Sequence, residues 1–175
     1  ERTRKDYKTS FIQTKNLKIG NKIATIDNID IFGSNQMWNP RVVGWLIGDG
    51  NYGFDQTPRI YNCESEINDY LKNNFNVKIY NQYKTKLGKD FQVTNIKGIC
   101  PELRKLGIYG QIKQNKRLPI NIDSYSKNDI CELIGGLYDT DGYVSLRENN
   151  KRGHIMIEVS ISQASLSLLT EIRFL

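Results

Sequence analysis

The passage Val42-Val43-Gly44-Trp45-Leu46-Ile47-Gly48-Asp49-Gly50 returns, altered but legible, as Ile134-Gly135-Gly136-Leu137-Tyr138-Asp139-Thr140-Asp141-Gly142. Each copy is an apolar run with glycine at its third position, closed by a small residue, an aspartate and a glycine. Asp49 and Asp141 lie 92 positions apart, room for one small α+β unit between them. An internal repeat restricts architecture more than any single motif, because one structural unit is used twice.

The punctuation of the chain fits that reading. Asn39-Pro40 marks the start of a first motif helix over 41–49, and Ser126 with Asp129 marks an N-cap and acidic first turn for a second over 126–141. Between them the pattern predicts a strand over 52–61, an amphipathic helix over 64–75, strands over 77–83 and 90–95, and a short helix over 101–106 ending at Gly107. After the second motif come strands over 143–148 and 155–162 and a helix from 165. Residues 1–33 are turn-rich, with strand-like pieces at 10–13 and 22–26. The expected fold is α+β, in three parts: a β-rich segment over 1–33, a first unit over 34–125 and a second over 126–175. Only 34 residues follow Asp141, so the second unit is expected to be incomplete.

No apolar run approaches the roughly 20 residues needed to cross a bilayer, and no charged-then-apolar leader opens the chain. The expectation is an intracellular, cytoplasmic protein with no membrane partner. Cys63, Cys100 and Cys131 are odd in number and scattered, which argues against a disulfide framework or zinc site. The net charge is +6, and its distribution is uneven: residues 77–117 hold ten Lys or Arg against Asp90 and Glu102 alone. Positive charge interleaved with Tyr, Gln, Thr and Asn is the composition of a surface that meets nucleic acid.

The repeated helix carries the chemistry. Gly44 and Gly48 share one face, as do Gly136 and Thr140 with Gly135 alongside, so two helix backbones can approach closely about a pseudo-twofold axis. Glycine within a helix costs about 1 kcal/mol relative to alanine, so the small faces need a packing reason. Gly50 and Gly142 are expected just beyond the helix ends in a left-handed turn. Asp49 and Asp141 then fall at helix C-termini, beside unsatisfied carbonyls and the negative end of the dipole. Side by side, two carboxylates about 5 Å apart repel by roughly 3 kcal/mol at an effective dielectric of about 20. A hard cation (Mg²⁺, Mn²⁺ or Ca²⁺) resolves that conflict, with the carbonyls of Gly48 and Thr140 as further oxygen ligands. Mg²⁺ that shares phosphate oxygens with a substrate is the arrangement of metal-assisted phosphodiester hydrolysis.

These passages resemble the paired motifs of LAGLIDADG homing endonucleases, also called the dodecapeptide or DOD type. The second copy matches at Gly136, Leu137, Asp139, Asp141 and Gly142, whereas the first has Ile47 in place of the earlier aspartate. Lys116-Arg117-Leu118-Pro119, ahead of the second motif, is similar to the Lys-x-Ile-Pro segment of intein-encoded members. Leu17-Lys18-Ile19-Gly20-Asn21-Lys22-Ile23-Ala24 resembles the Leu-Lys-x-Gly-Asp-x-Ile segment that closes the N-terminal half of intein splicing (Hint) domains. His154 is the one histidine, and its strand position gives it no splicing role.

The resemblance implies paired motif helices beneath two saddle-shaped antiparallel sheets astride a DNA duplex, in a monomer with pseudo-symmetric halves embedded in a host precursor. It implies Asp49, Asp141 and Lys116 as catalytic residues, with Mg²⁺ as cofactor and Mn²⁺ as a substitute. Base readout falls to strand residues, the candidates being Arg59, Lys78, Gln82, Lys84 and Gln92 in the first sheet and Arg147 and Arg152 in the second. The leading reading is an intein-encoded double-strand DNA endonuclease. Two alternatives stay open: a binding protein of the same family that does not cut, such as a maturase or regulator, and a remnant of an intein whose role is protein splicing.

Overall fold

The computed structural model describes residues 10–23, 32–86, 88, 90–149 and 154–175. The chain divides into two compact units, Glu1–Ile31 and Phe32–Leu175. In the first, the regular element among the described residues is a single 3-10 turn, Thr14–Asn16. Lys18 donates its backbone N–H to Asn21 Oδ1 at 2.8 Å, closing a turn through Gly20, whose φ is 96°. The strand expected over 10–13 does not form, since an extended backbone with no ladder partner among the described residues is not a strand. Residues 24–26 of the other expected strand lie outside the described residues.

The second unit is built on two helices, α1 (Pro40–Asp49) and α4 (Lys127–Asp141). Pro40 occupies the first turn of α1, where its missing N–H costs nothing. Six consecutive α1 residues, Val42 to Ile47, are buried, so the helix is enclosed on every side rather than amphipathic. α4 begins at an N-cap, with Ser126 Oγ accepting the Asp129 N–H at 3.2 Å. Asp129 in turn accepts the Met37 N–H at 2.9 Å, tying the entry of one helix to the other.

Between them run β1 (Gly50–Asn51), β2 (Arg59–Asn62), α2 (Ser65–Asn74), β3 (Val77–Lys84), β4 (Asp90–Ile96) and α3 (Cys100–Lys105). The four strands form one antiparallel sheet in the order β1-β2-β4-β3. Of the strand expected over 52–61, only residues 59–61 form one, within β2. Residues 52–58 are a loop, with Asp55 at φ 58° donating its N–H to the Tyr109 hydroxyl and Phe54 edge-on to the Tyr109 ring. After α4 come β5 (Gly142–Asn149) and β6 (His154–Ile161), a hairpin in register from Gly142↔Ile161 to Asn149↔His154, then α5 (Leu166–Arg173).

The first sheet packs on α2, whose Ile67, Asn68 and Leu71 are buried. Beneath it lies a polar cluster: Gln92 Nε2 donates to Asn68 Oδ1 at 3.1 Å and to Thr94 Oγ1 at 2.6 Å. On the β5–β6 hairpin, alternation places Val144, Leu146, Ile157 and Val159 on one face, and all four are exposed.

Gly50 and Gly142 depart from the expected left-handed turn. Their φ,ψ values are −85°,156° and −79°,150°, so each is the extended first residue of a strand. Glycine is needed there for space: a Cβ on Gly50 would sit 2.2 Å from the Leu46 carbonyl oxygen, and one on Gly142 2.3 Å from that of Tyr138. Gly107, by contrast, does end α3 in the left-handed region, at φ 70°.

α1 and α4 lie side by side and run in the same direction. A Cβ on Gly44 would meet the Leu133 carbonyl oxygen at 2.2 Å, and one on Gly136 would meet that of Arg41 at 2.2 Å. Leu133 and Gly136 are Arg41 and Gly44 displaced by the 92-residue repeat, so the two approaches are reciprocal. Gly135 differs from its expected place in this interface, because its Cβ would meet only the movable guanidinium of Arg41, at 2.5 Å.

The same seam is closed by charge. Asp139 accepts two hydrogen bonds from Arg41, Nε at 2.7 Å and Nη2 at 2.8 Å, and a third from Trp45 Nε1 at 2.8 Å. The Asp139 hydrogen bonds and the neighbouring Glu132 carboxylate raise the Arg41 pKa above its ordinary value. Asp139→Ala removes the protein acceptor of the part-buried Trp45 indole N–H and of the Arg41 guanidinium. Urea denaturation is expected to register a loss of about 2–3 kcal/mol.

Candidate active site

The parallel course of α1 and α4 brings their C-terminal residues, Asp49 and Asp141, to one end of the seam. There the helices stay close: a Cβ on Gly48 would lie 1.9 Å from Thr140 Oγ1 and 2.8 Å from Asp141 Oδ2. Burial, then the Asp141 charge, push the Asp49 carboxyl up to about 6, with Lys116 opposing. Burial also raises Asp141, while Lys116 and a hydrogen bond from Gln163 hold it back. Both carboxylates therefore sit where negative charge is disfavoured.

Lys116 supplies the nearest compensation. It is 8% exposed, and its Nζ donates to the Gly48 carbonyl oxygen at 2.7 Å, 5.7 Å from the centre of the buried Tyr52 ring. Burial lowers its pKa to about 8, against the pull of both aspartates. A cavity of about 380 Å³ opens beside these groups, lined by Lys116, Asp141, Gly48, Gln56, Lys113 and Gln163 among others.

The donor set suits a hard cation. Two carboxylates and the Gly48 carbonyl are oxygen ligands of the kind Mg²⁺, Mn²⁺ and Ca²⁺ prefer. Among the described residues no three His, Cys, Asp or Glu side chains cluster, so backbone oxygens, water or substrate phosphates would complete a coordination shell. The Thr140 hydroxyl faces back onto its own helix, donating to the Leu137 carbonyl at 3.0 Å.

Sequence reading did not single out Gln163. Its Nε2 donates to Asp141 Oδ2, while the next residue back, Ser162, donates its N–H to the Asp141 carbonyl at 3.1 Å. The available signal was its place two residues beyond the end of β6. Without the hairpin register, nothing in the sequence aims that side chain at Asp141.

The strand candidates divide between two faces. A β-bulge between Ile79 and Asn81 shifts the register of β3, so residues before and after it change sides. Arg59 and Lys78 both pair across from Asn95, forming a row over three strands on the face away from α2. In that row Arg59 Nε and Asn95 Oδ1 are buried with no hydrogen-bond partner among the described residues. Gln82 lies opposite Gln92, and Lys84 opposite Asp90, on the α2 side of the sheet. Gln92 is 4% exposed and engaged with Asn68 and Thr94, which removes it from any outer contact surface. Arg147 holds a strand position opposite Met156, and Arg152 lies outside the described residues.

Parts of the sequence match known proteins. Residues 128–175, spanning most of α4 and all of β5, β6 and α5, match the LAGLIDADG-like domain, which is found in homing endonucleases and related nucleic-acid-binding proteins. Over 167 residues, 90% of this chain, the sequence is 27% identical to the ATP-dependent DNA helicase Hel308 of Methanocaldococcus jannaschii. The chain spans 14% of that relative's length. No helix among the described residues is long and apolar enough to cross a membrane.

Proposed function

We propose that the chain is the endonuclease region of an intein, a LAGLIDADG homing endonuclease that cuts both strands of a DNA duplex with a divalent cation. The observation that carries the reading is the Asp49–Asp141 pair, delivered by parallel helices to one site, with buried Lys116 between the chain's two motifs. A lone aspartate at a helix end would be an ordinary turn residue. Two half-buried carboxylates whose charge burial disfavours, at the end of a glycine-packed seam, make sense as a cation site.

Mg²⁺ bound there would polarise a phosphodiester and supply a water nucleophile near neutral pH. Asp49 and Asp141 would hold the cation, Gly48 could add its carbonyl oxygen, and Gln163 orients Asp141. Lys116 places a positive charge, fixed by the Gly48 carbonyl, where a phosphate would develop negative charge. Arg59, Lys78 and Asn95 form the part of the first sheet best placed to meet bases and phosphates. The intein reading draws support from the 17–24 segment and from an alignment covering 90% of this chain but 14% of a DNA helicase, as an inserted element would give.

The test is a library of randomised duplexes incubated with the protein in Mg²⁺ or in EDTA, with bound and cut fragments sequenced separately. The proposal expects cut ends at one long site in Mg²⁺ only. Bound but uncut duplexes in both conditions would favour the binding protein that does not cut. On the recovered site, Lys78→Ala is expected to weaken binding and to reduce the salt slope by about one. Gln92→Ala is expected to destabilise the fold by about 1–3 kcal/mol with binding per folded molecule unchanged.

A further inference from the structure

We propose that Ser165 and Glu171 are positioning residues for Lys116, so that the helix following the second motif sets the geometry of the basic group belonging to the first. The inference rests on the nuclease reading for its rate effects, though not for its structural ones.

The strand-like stretch bearing Lys116 has few anchors of its own. Asn115 and Lys116 donate N–H groups to Ile112 and Lys113 within the same turn, and Arg117 N donates to the Gln111 side chain at 2.8 Å. Lys113 holds a φ of 44°, a conformation that needs outside support in a residue with a Cβ. The stretch that follows Lys113 is anchored from outside by α5 and its cap residue. Ser165, fully buried, donates its hydroxyl to the Lys116 carbonyl oxygen at 2.7 Å and accepts the Leu168 N–H at 3.2 Å. One hydroxyl thus caps α5 and fixes the backbone of Lys116. Two residues after Lys116, the Leu118 N–H is accepted by Glu171 Oε2 at 2.8 Å, and Glu171 Oε1 is paired with the Arg117 guanidinium.

The same segment reaches the other side of the site. Ser162 N–H and Gln163 Nε2 bond to Asp141, so residues 162–165 touch both Asp141 and Lys116. This four-residue bridge spans the interval between a second-motif carboxylate and the first-motif lysine. Displacing a charged group by about 1 Å in such a site can cost two orders of magnitude in rate.

The test uses the full chain and the duplex recovered from the randomised library. Ser165→Ala and Glu171→Ala are each expected to lower the single-turnover cutting rate at saturating duplex about tenfold or more, with the dissociation constant for the duplex within twofold. Glu171→Gln keeps an acceptor oxygen for Leu118 and is expected to recover most of the rate. Thr170→Ala, which removes only an exposed bond to the Leu166 carbonyl within α5, is the control. In protein labelled at lysine ¹³Cε, the Lys116 resonance (assigned with Lys116→Met) is expected to move in Ser165→Ala and Glu171→Ala and to stay in Thr170→Ala. Ser165→Ala loses a helix cap as well, so Glu171, at the partly exposed end of the clamp, provides the variant that stays folded. An unmoved Lys116 resonance, or a loss confined to duplex affinity, overturns the proposal. If the wild-type chain leaves the duplex uncut, the nuclease reading fails, and the clamp stands or falls on the resonance alone.

Discussion

Asp49→Asn and Asp141→Asn are each expected to slow double-strand cutting by at least about a thousandfold while leaving duplex affinity within a few-fold. Removing one group aimed at developing charge in a reaction costs about 10²–10³ in rate, and each substitution here also strips a ligand from the proposed cation. The isosteric amide keeps the helix end intact, so binding by the sheets has no reason to change.

The same variants carry an opposite signature in stability. Folding raises the Asp49 carboxyl to about 6, so its ionised form is disfavoured in the fold. The sign follows from proton linkage: between the ordinary carboxylate range and about pH 6 the folded state binds more protons than the unfolded one. Without divalent cation, the wild type should therefore lose stability as pH rises through that window, and Asp49→Asn should lose less, the remainder coming from the raised Asp141 carboxyl. Asp49 is partly solvated, which reduces the effect, and about 1–2 kcal/mol in favour of Asp49→Asn at pH 7 is expected in urea titrations with EDTA. A substitution that stabilises the protein and abolishes its reaction marks a residue kept for chemistry.

The second large effect concerns the seam. Gly136→Ala places a Cβ 2.2 Å from the Arg41 carbonyl oxygen, backbone against backbone, where no side chain can move aside. The helices must separate. The expected cost is about 3–5 kcal/mol, at the upper end for a single substitution, and a fall in melting temperature of roughly 10–20 °C. Gly135→Ala, one residue earlier, meets only the Arg41 guanidinium. That group can shift, and alanine is about 1 kcal/mol better than glycine inside a helix, so Gly135→Ala should be close to neutral or mildly stabilising. Thermal melts of the two variants read by circular dichroism test this directly. Equal melting temperatures would contradict the close approach.

Much of the framework was legible in the sequence. The start of α1 at Pro40 and of α4 after Ser126, and the end of α3 at Gly107, depend on local backbone chemistry that a few residues encode. The aspartates at the helix ends followed from the repeat itself. Less was legible where a residue's role depends on register. The bulge near Tyr80 leaves no compositional trace, yet it places Gln82 and Lys84 on the opposite face from Lys78. Gln92 has the side chain of a base reader, and only its neighbours Asn68 and Thr94 reveal it as buried structure. Gly50 and Gly142 had the right identity for the wrong reason, since carbonyl crowding and a left-handed turn both select glycine. The Asp139 acceptor for Arg41 and Trp45 was likewise invisible, although it shows what the aspartate does that the first motif replaces with Ile47.

The central claim is that Asp49 and Asp141 jointly hold a divalent cation at the meeting point of the two helices. Mn²⁺ titration of the full chain bound to its recovered duplex, followed by electron paramagnetic resonance, tests it most directly. The account predicts tightly bound Mn²⁺ in the wild-type complex that is lost when Asp49→Asn and Asp141→Asn are combined, with the duplex still bound. Undiminished Mn²⁺ uptake by that double variant would contradict it.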